Sequence, residues 1–137
     1  MLIQNVLLIF VAMENLVIKR TLKTPGINFD YNSGELLIEG ISIPENTIEF
    51  YKEVMAWLEE YRLKAQPKSV LKLKLEYFNT STSVVLLNIF KLFSQIEHSD
   101  LMVKWYYEED DIEMLEVGED YLNIIKVPFE LVSVESF

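Results

Sequence analysis

At 137 residues and half apolar, the chain has the size and composition of a single globular domain, which excludes an intrinsically disordered protein. Its formal net charge of −10 excludes nucleic acid and anionic membranes as expected partners, because both would repel it. The lack of cysteine and the presence of one histidine, His98, exclude disulfides, thiol catalysis and cysteine-based zinc sites, and we expect a cytoplasmic protein.

Residues 1–12 form an apolar extension. The extension is shorter than the roughly 20 apolar residues that a membrane span needs, and it lacks the basic start of a signal peptide. We therefore expect no membrane insertion. Because Met13 opens a sequence typical of a folded domain, we expect a start codon mis-set upstream of Met13 and one domain at residues 13–137. The alternative is an apolar N-terminal helix that packs on the domain or on a partner.

The N-terminal half predicts strands followed by a helix. Short apolar–polar runs separated by turn-forming residues predict an edge strand and a β-hairpin, at Leu16–Leu22, Asn28–Tyr31 and Glu35–Glu39. Apolar residues at spacings of three and four then predict a helix that begins near Thr47, with Asn46 or Thr47 as its cap. Pro67 follows the end of this helix.

The C-terminal half alternates strands and helices. Lysines that alternate with apolar residues predict a strand at Ser69–Tyr77. The remaining predicted elements are a helix at Val84–Ile96, a strand at Leu101–Tyr107, a short helix from Glu108–Asp111 to Gly118, and a strand at Ile124–Val132. The order, roughly ββαβαβαβ, predicts an α/β fold in which a mixed sheet of about four to six strands carries packed helices.

An acidic stretch between Glu108 and Asp120 is the first candidate for chemistry. Hard cations such as Mg²⁺ bind clustered carboxylates, but this spacing does not match a calcium-binding loop. Acidic residues are also favoured at the start of a helix, which is our interpretation here. We expect no catalytic residue, no metal and no cofactor; a small metal-dependent enzyme and a protein-contact surface are the alternatives.

The segment Asn79-Thr80-Ser81-Thr82-Ser83 is the second candidate. It lies between a predicted strand and a predicted helix, where one polar residue is enough to cap the helix. The free N–H groups and the dipole of a helix start also stabilise a phosphate. Two interpretations therefore stay open: a cap, or a phosphorylation site beside a docking surface. The residues that would contact a partner are Asn79, Ser81, Thr82, Ser83, Val84, Leu87 and Lys91.

Three collinear segments resemble the SiaC family of bacterial regulatory phosphoproteins. They are Gly40–Thr47, similar to the family's S-x-P-E-N-[ST] pattern, Leu73–Ser83, similar to L-x-L-x-Y-[LF]-N-[ST]-S-[ST], and Val103–Tyr107, similar to a W-x-Y strand. The similarity runs from about Thr24 to Leu131, and residues 1–12 have no counterpart in it. Thr82 stands where the family often has serine.

The resemblance implies a fold similar to STAS domains, the anti-sigma-factor antagonists, and a non-enzymatic switch. It implies a dedicated Ser/Thr kinase of histidine-kinase-like fold and a PP2C-type phosphatase that reverses the modification. It places the phosphoacceptor on the threonine after the asparagine, Thr80. It also implies that the unphosphorylated form binds and activates a diguanylate cyclase in c-di-GMP signalling. An anti-sigma factor antagonist in a partner-switching cascade is the alternative.

Overall fold

The structure, a computed structural model, describes residues 13–137, so the expectation about residues 1–12 lies outside the described part of the chain. The element order is βββαβαβαβ, which confirms the predicted α/β class with one strand more than the predicted order. The strands are β1 Leu16–Ile18, β2 Gly26–Asp30, β3 Glu35–Ser42, β4 Lys68–Phe78, β5 Asp100–Glu108 and β6 Phe129–Val134. The helices are α1 Thr47–Leu63, α2 Thr80–Ser94 and α3 Ile112–Ile124.

The strands form one mixed sheet in the order β1-β2-β3-β4-β5-β6. The first three strands are antiparallel neighbours, and β3 to β6 are parallel. Each parallel pair is joined by a helix, and right-handed crossovers that all step in one direction put their helices on the same face. The burial pattern agrees, because Leu71, Leu73 and Leu75 of β4 are buried while Lys72 and Lys74 between them are partly exposed.

The core lies between this face and the three helices. Trp105 of β5 is its largest fully buried side chain, and its indole Nε1 donates to the Met114 carbonyl of α3 at 3.0 Å. The rings of Phe90 on α2 and Tyr121 on α3 pack edge to face, with centroids 5.0 Å apart. Because strands and helices share one cluster of buried residues, the parallel strands and the starts of the helices hold fixed relative positions.

Several predicted boundaries were wrong. The second helix begins at Thr80 rather than Val84, because the Asn79 side chain caps it. The third helix does not close at Gly118 but continues to Ile124, so the predicted last strand started too early. Gly118 lies against the Trp105 ring, where it permits close packing and does not end the helix. The first strand is short because the chain turns between Thr21 and Thr24.

Within residues 13–137, no helix is both long and apolar enough to cross a membrane. The aromatic residues Trp57 and Trp105 lie in the core, and Tyr106 and Tyr107 are partly buried. In the same part of the chain, no three histidine, aspartate or glutamate side chains are grouped to hold a metal ion.

Candidate functional site

The starts of the three helices lie along one edge of the sheet. The strands β3, β4 and β5 are parallel neighbours, so their carboxyl ends meet at that edge, and α1, α2 and α3 follow those ends. We call this edge the helix-start edge. It holds both Asn46-Thr47 and Asn79-Thr80, which are 33 positions apart in sequence. Two of the segments that carry the family resemblance therefore meet here.

The start of α2 is held by the side chain of Asn79. Its Oδ1 accepts hydrogen bonds from the Thr82 backbone N–H and from the Ser81 hydroxyl, both at 3.0 Å. The Asn79 backbone N–H donates to the Ser42 carbonyl at 3.2 Å, which ties the cap to the end of β3. The Ser83 hydroxyl donates to the Thr80 carbonyl. Two of the four hydroxyl groups in the segment, those of Ser81 and Ser83, are therefore engaged in holding the cap.

A buried chain of hydroxyl groups lies beneath this cap. The Ser42 Oγ lies 2.7 Å from the Tyr51 hydroxyl and 2.9 Å from the Thr82 Oγ1, and the Thr82 hydroxyl also reaches the Ser42 carbonyl at 3.1 Å. Ser42 and Thr82 are fully buried and Tyr51 nearly so. Buried polar groups are stable only when paired, so this chain fixes the position of the α2 start relative to β3 and α1.

The same Asn–Thr arrangement begins both α1 and α2, with different outcomes for the threonine. Asn46 Oδ1 accepts from the Glu49 N–H at 3.1 Å, as Asn79 does in α2. Thr47 is buried, and its hydroxyl lies 2.7 Å from the Ser81 Oγ. Thr80 is exposed, and within residues 13–137 its hydroxyl has no hydrogen-bond partner. Thr80 is thus the accessible hydroxyl of the two equivalent positions.

The surroundings of Thr80 suit an added anion. The first N–H groups of a helix have no partner inside the helix, and those of Thr80 and Ser81 remain available once Asn79 has engaged Thr82. The first turn of α2 contains no acidic residue. The positive end of the helix dipole and these N–H groups therefore favour negative charge at this position.

The other predicted partner-contact residues are scattered along α2. Val84 is 56% exposed beside the cap, and Leu87 is partly buried against the core. Lys91 is exposed in the last turn, about 16 Å along the helix from Thr80 at 1.5 Å per residue. Thr82 is a correction to the predicted set: its side chain is fully buried in the hydroxyl chain and cannot reach a partner.

The predicted interpretation of the acidic stretch as a helix start is confirmed. Asp111 caps α3, with its Oδ1 accepting from the Met114 N–H at 3.1 Å, and Glu113 lies in the first turn. The Glu108 carboxylate accepts from the Phe137 N–H at 3.1 Å. Two of these acidic side chains thus have local structural partners, which accounts for them without a metal ion.

The site also contains Ser42 and Tyr51, which the sequence did not indicate, and Thr47, which the sequence indicated only as a possible helix cap. Ser42 and Thr47 both belong to the segment Gly40–Thr47 that carries the family resemblance. Tyr51 lies on the buried apolar face of α1. Its hydroxyl role could not be inferred from sequence because the partner, Ser42, lies on another element.

The buried Tyr51 hydroxyl makes stability sensitive to alkaline pH. Burial raises the pKa of Tyr51 to about 12, and the hydrogen bond with Ser42 opposes that rise in part. The unfolded pKa is about 10, so stability is unaffected by this group below pH 10 and falls as pH rises from about 10 through about 12. Burial raises the pKa values of Tyr61 and Tyr121 as well, which acts in the same direction.

We expect Tyr51→Phe to make this alkaline loss shallower, by up to about 1.4 kcal/mol per pH unit above pH 10. At neutral pH the variant should lose about 1 kcal/mol, because Ser42 loses a hydrogen-bond partner. Urea unfolding at pH 8 and at pH 11 measures both effects. The control is Tyr77→Phe, since Tyr77 is 58% exposed. An unchanged pH dependence in Tyr51→Phe would contradict this account.

The chain is similar to known proteins over most of its length. A family model described as SiaC family regulatory phosphoprotein matches residues 18–134. An uncharacterized protein of Pseudomonas aeruginosa (strain UCBPP-PA14) is 29% identical over 121 residues, covering 87% of this chain and 96% of the relative. The crystal structure of apo-SiaC from P. aeruginosa matches with a TM-score of 0.79 and 29% identity, covering 88% of this chain and 99% of that one. A chain in the crystal structure of the P. aeruginosa diguanylate cyclase SiaD in complex with its activator SiaC matches with a TM-score of 0.81 and 28% identity, covering 87% and 99%.

Proposed function

This chain belongs to the SiaC family of regulatory phosphoproteins, and on that premise we propose that phosphorylation of Thr80 controls its binding to a diguanylate cyclase. The protein acts by binding, without catalytic turnover of its own. A kinase of histidine-kinase-like fold adds the phosphate and a PP2C-type phosphatase removes it. The observation that carries the proposal is the accessibility of Thr80 at a helix start where the neighbouring hydroxyls are engaged.

The choice of a cyclase as output partner rests on the relative. The P. aeruginosa SiaC is the activator of the diguanylate cyclase SiaD, and a chain in that complex resembles this one over nearly its whole length. An anti-sigma factor remains the alternative partner. Binding assays with a purified cyclase and with a purified anti-sigma factor distinguish the two partners. A docking surface that fits one of these proteins would bind the other weakly.

A phosphate on Thr80 should leave the fold intact. The modified side chain points from an exposed position, and the free N–H groups of Thr80 and Ser81 can donate to it. No acidic residue of the first turn opposes it. The buried chain through Ser42 and Thr82 lies beneath the helix start and keeps its partners. Phosphorylation therefore changes the surface that is shown to a partner rather than the structure below it.

A phosphate on Thr80 should nevertheless weaken docking. Val84, one turn along α2, is 56% exposed, so a partner that covers it would also bring Thr80 out of water. An anion that loses its hydration at an interface without a cationic partner is strongly penalised. The unmodified threonine carries no such penalty, and the unphosphorylated protein is therefore the binding-competent form.

Phosphate mapping tests the proposal. Incubation with the cognate kinase and ATP should add one phosphate, which mass spectrometry should locate on Thr80, and Thr80→Ala should abolish its incorporation. Matched controls are Ser81→Ala and Ser83→Ala, which remove neighbouring hydroxyls and should still be modified. A phosphate located on Ser81, Thr82 or Ser83 would show that the assignment of the acceptor is wrong.

A further inference from the structure

The helix-start edge carries apolar side chains that the fold does not use. Ile48 at the start of α1 is 80% exposed, Val84 on α2 is 56% exposed and Ile112 at the start of α3 is 58% exposed. Ile48 and Ile112 lie in the first turns of their helices, where polar residues are preferred, and Val84 lies in the second turn of α2. Exposed apolar side chains that are grouped at one edge are typical of a surface that binds a partner. Neighbouring strands lie about 4.8 Å apart, which brings the three helix starts side by side with α2 in the middle.

Acidic side chains flank Ile48 and Ile112 along the chain. They are all exposed, and within residues 13–137 none of them takes part in an ion pair. The acids that are paired in that part of the chain lie at the start of β3, in the last turns of α1 and on β4; they are Glu35, Glu59, Glu60 and Glu76. The exposed, unpaired acids at this edge are Glu45 and Glu49 beside α1, and Glu109, Asp110, Glu113 and Glu116 beside α3.

We infer that the helix-start edge binds a basic amphipathic segment of the partner protein, with apolar side chains that cover Ile48, Val84 and Ile112. The inference rests on the proposed function, because it names the chemistry of the partner at the proposed docking surface. Charge complementarity carries it: unpaired acids around an apolar centre attract lysine and arginine around an apolar stripe.

The rim and the centre of this surface have different roles. Charges at an exposed rim steer association and make it sensitive to salt, whereas groups at a desolvated centre decide how long the complex lasts. Thr80 begins the middle helix and lies between the two acidic groups. In the inferred complex the rim acids pair with the partner's cations, so a phosphate on Thr80 would bring a further anion out of water without a cation of its own.

Defined peptides test the inference whichever protein the partner is. The probe is an 18-residue helical peptide with leucine on one face and lysine on the other. One control peptide has glutamate in place of lysine, and a second has the lysines and leucines of the probe scrambled. Methyl NMR spectra of the full chain should show the probe shifting Ile48, Val84 and Ile112, with affinity at least tenfold above both controls and about tenfold lower in high salt.

Matched charge variants separate a specific edge from general attraction to an acidic protein. Glu109→Gln/Asp110→Asn/Glu113→Gln should weaken binding of the probe about tenfold. The control Glu97→Gln/Asp100→Asn/Glu130→Gln removes the same charge from exposed positions away from the edge and should change binding less than twofold. The inference would be overturned if both variants lost the same affinity for the probe, or if the glutamate peptide bound as tightly as the probe. Methyl shifts confined to the face of the sheet that carries no helices would also overturn it.

Two further outcomes identify what failed. The first outcome compares two chains without peptide. If the methyl signals of Ile48, Val84 and Ile112 differ between the full chain and a chain that begins at Met13, residues 1–12 are the occupant of the edge and the inference is wrong. If the probe binds as expected but phosphorylated Thr80 has no effect on its dissociation, the docking surface stands and the proposed switch fails. If phosphorylation alters binding of the cyclase but the probe does not bind the edge, the proposed switch is supported and the inference of a basic partner segment is wrong.

Discussion

Thr80→Asp is expected to bind the proposed cyclase partner ten- to a hundredfold more weakly than the unmodified chain. A carboxylate in place of the hydroxyl mimics part of the phosphate charge, and its desolvation at the interface costs about 1–3 kcal/mol. Thr80→Ala should bind as tightly as wild type and should no longer respond to the kinase. Titration by calorimetry or by surface-immobilised cyclase measures the difference.

The same variants should leave the fold almost unchanged, which separates a switch from a loss of structure. Asp at the first position of α2 interacts favourably with the helix dipole, worth about 0.3–1 kcal/mol, so the melting temperature should not fall. Asn88→Asp is the matched control, because Asn88 is exposed on the same helix and the change adds the same charge farther along. Full-strength binding by Thr80→Asp would contradict the proposed switch.

Gly118→Ala is expected to destabilise the protein by about 2 kcal/mol, which corresponds to roughly 8 °C in the melting temperature for a chain of this size. A Cβ at this position would lie 2.5 Å from Cδ1 of Trp105 and 2.8 Å from Cδ2 of Leu131. The Trp105 ring cannot move aside easily, because it is 1% exposed and its Nε1 is bonded to the Met114 carbonyl.

The sign of that effect distinguishes packing from helix propensity. In an exposed helix, alanine is favoured over glycine by about 1 kcal/mol, so propensity alone would make Gly118→Ala stabilising. The control Glu119→Ala changes the exposed neighbour on the same helix and should alter stability by less than about 0.5 kcal/mol. If Gly118→Ala melted at or above the wild-type temperature, the close approach of α3 to Trp105 would not constrain this position.

Elements with strong periodicity were predictable because their pattern reports one buried face. The alternation of lysine with leucine in β4 and the apolar stripe of α1 located those elements within a few residues. Local turn chemistry also identified the β2–β3 hairpin, in which Gly34 has the positive φ of 71° that glycine adopts readily. These features depend on residues near one another in the chain, so the sequence contains the whole signal.

The ends of elements were less predictable because tertiary contacts decide them. Gly118 was expected to end a helix, as glycine often does, but contact with Trp105 from β5 explains its presence inside α3. The hydroxyl segment was expected to precede a helix that starts at Val84. Because Asn79 caps the helix, the helix begins four residues earlier, and the hydroxyl residues form its first turn.

Local pattern and motif were sufficient to predict the α/β class and the candidate segment that contains Thr80, because both depend on residues close together in the chain. Contacts between distant residues determine which hydroxyl in that segment is available. Ser42, Thr47 and Thr82 meet because parallel strands bring distant residues to one edge, and their mutual hydrogen bonds bury them. The accessibility of a hydroxyl depends on contacts between elements, so a run of similar hydroxyl residues cannot reveal it. Among the four hydroxyl residues of the segment, Thr80 is the one that is exposed and has no hydrogen-bond partner within residues 13–137.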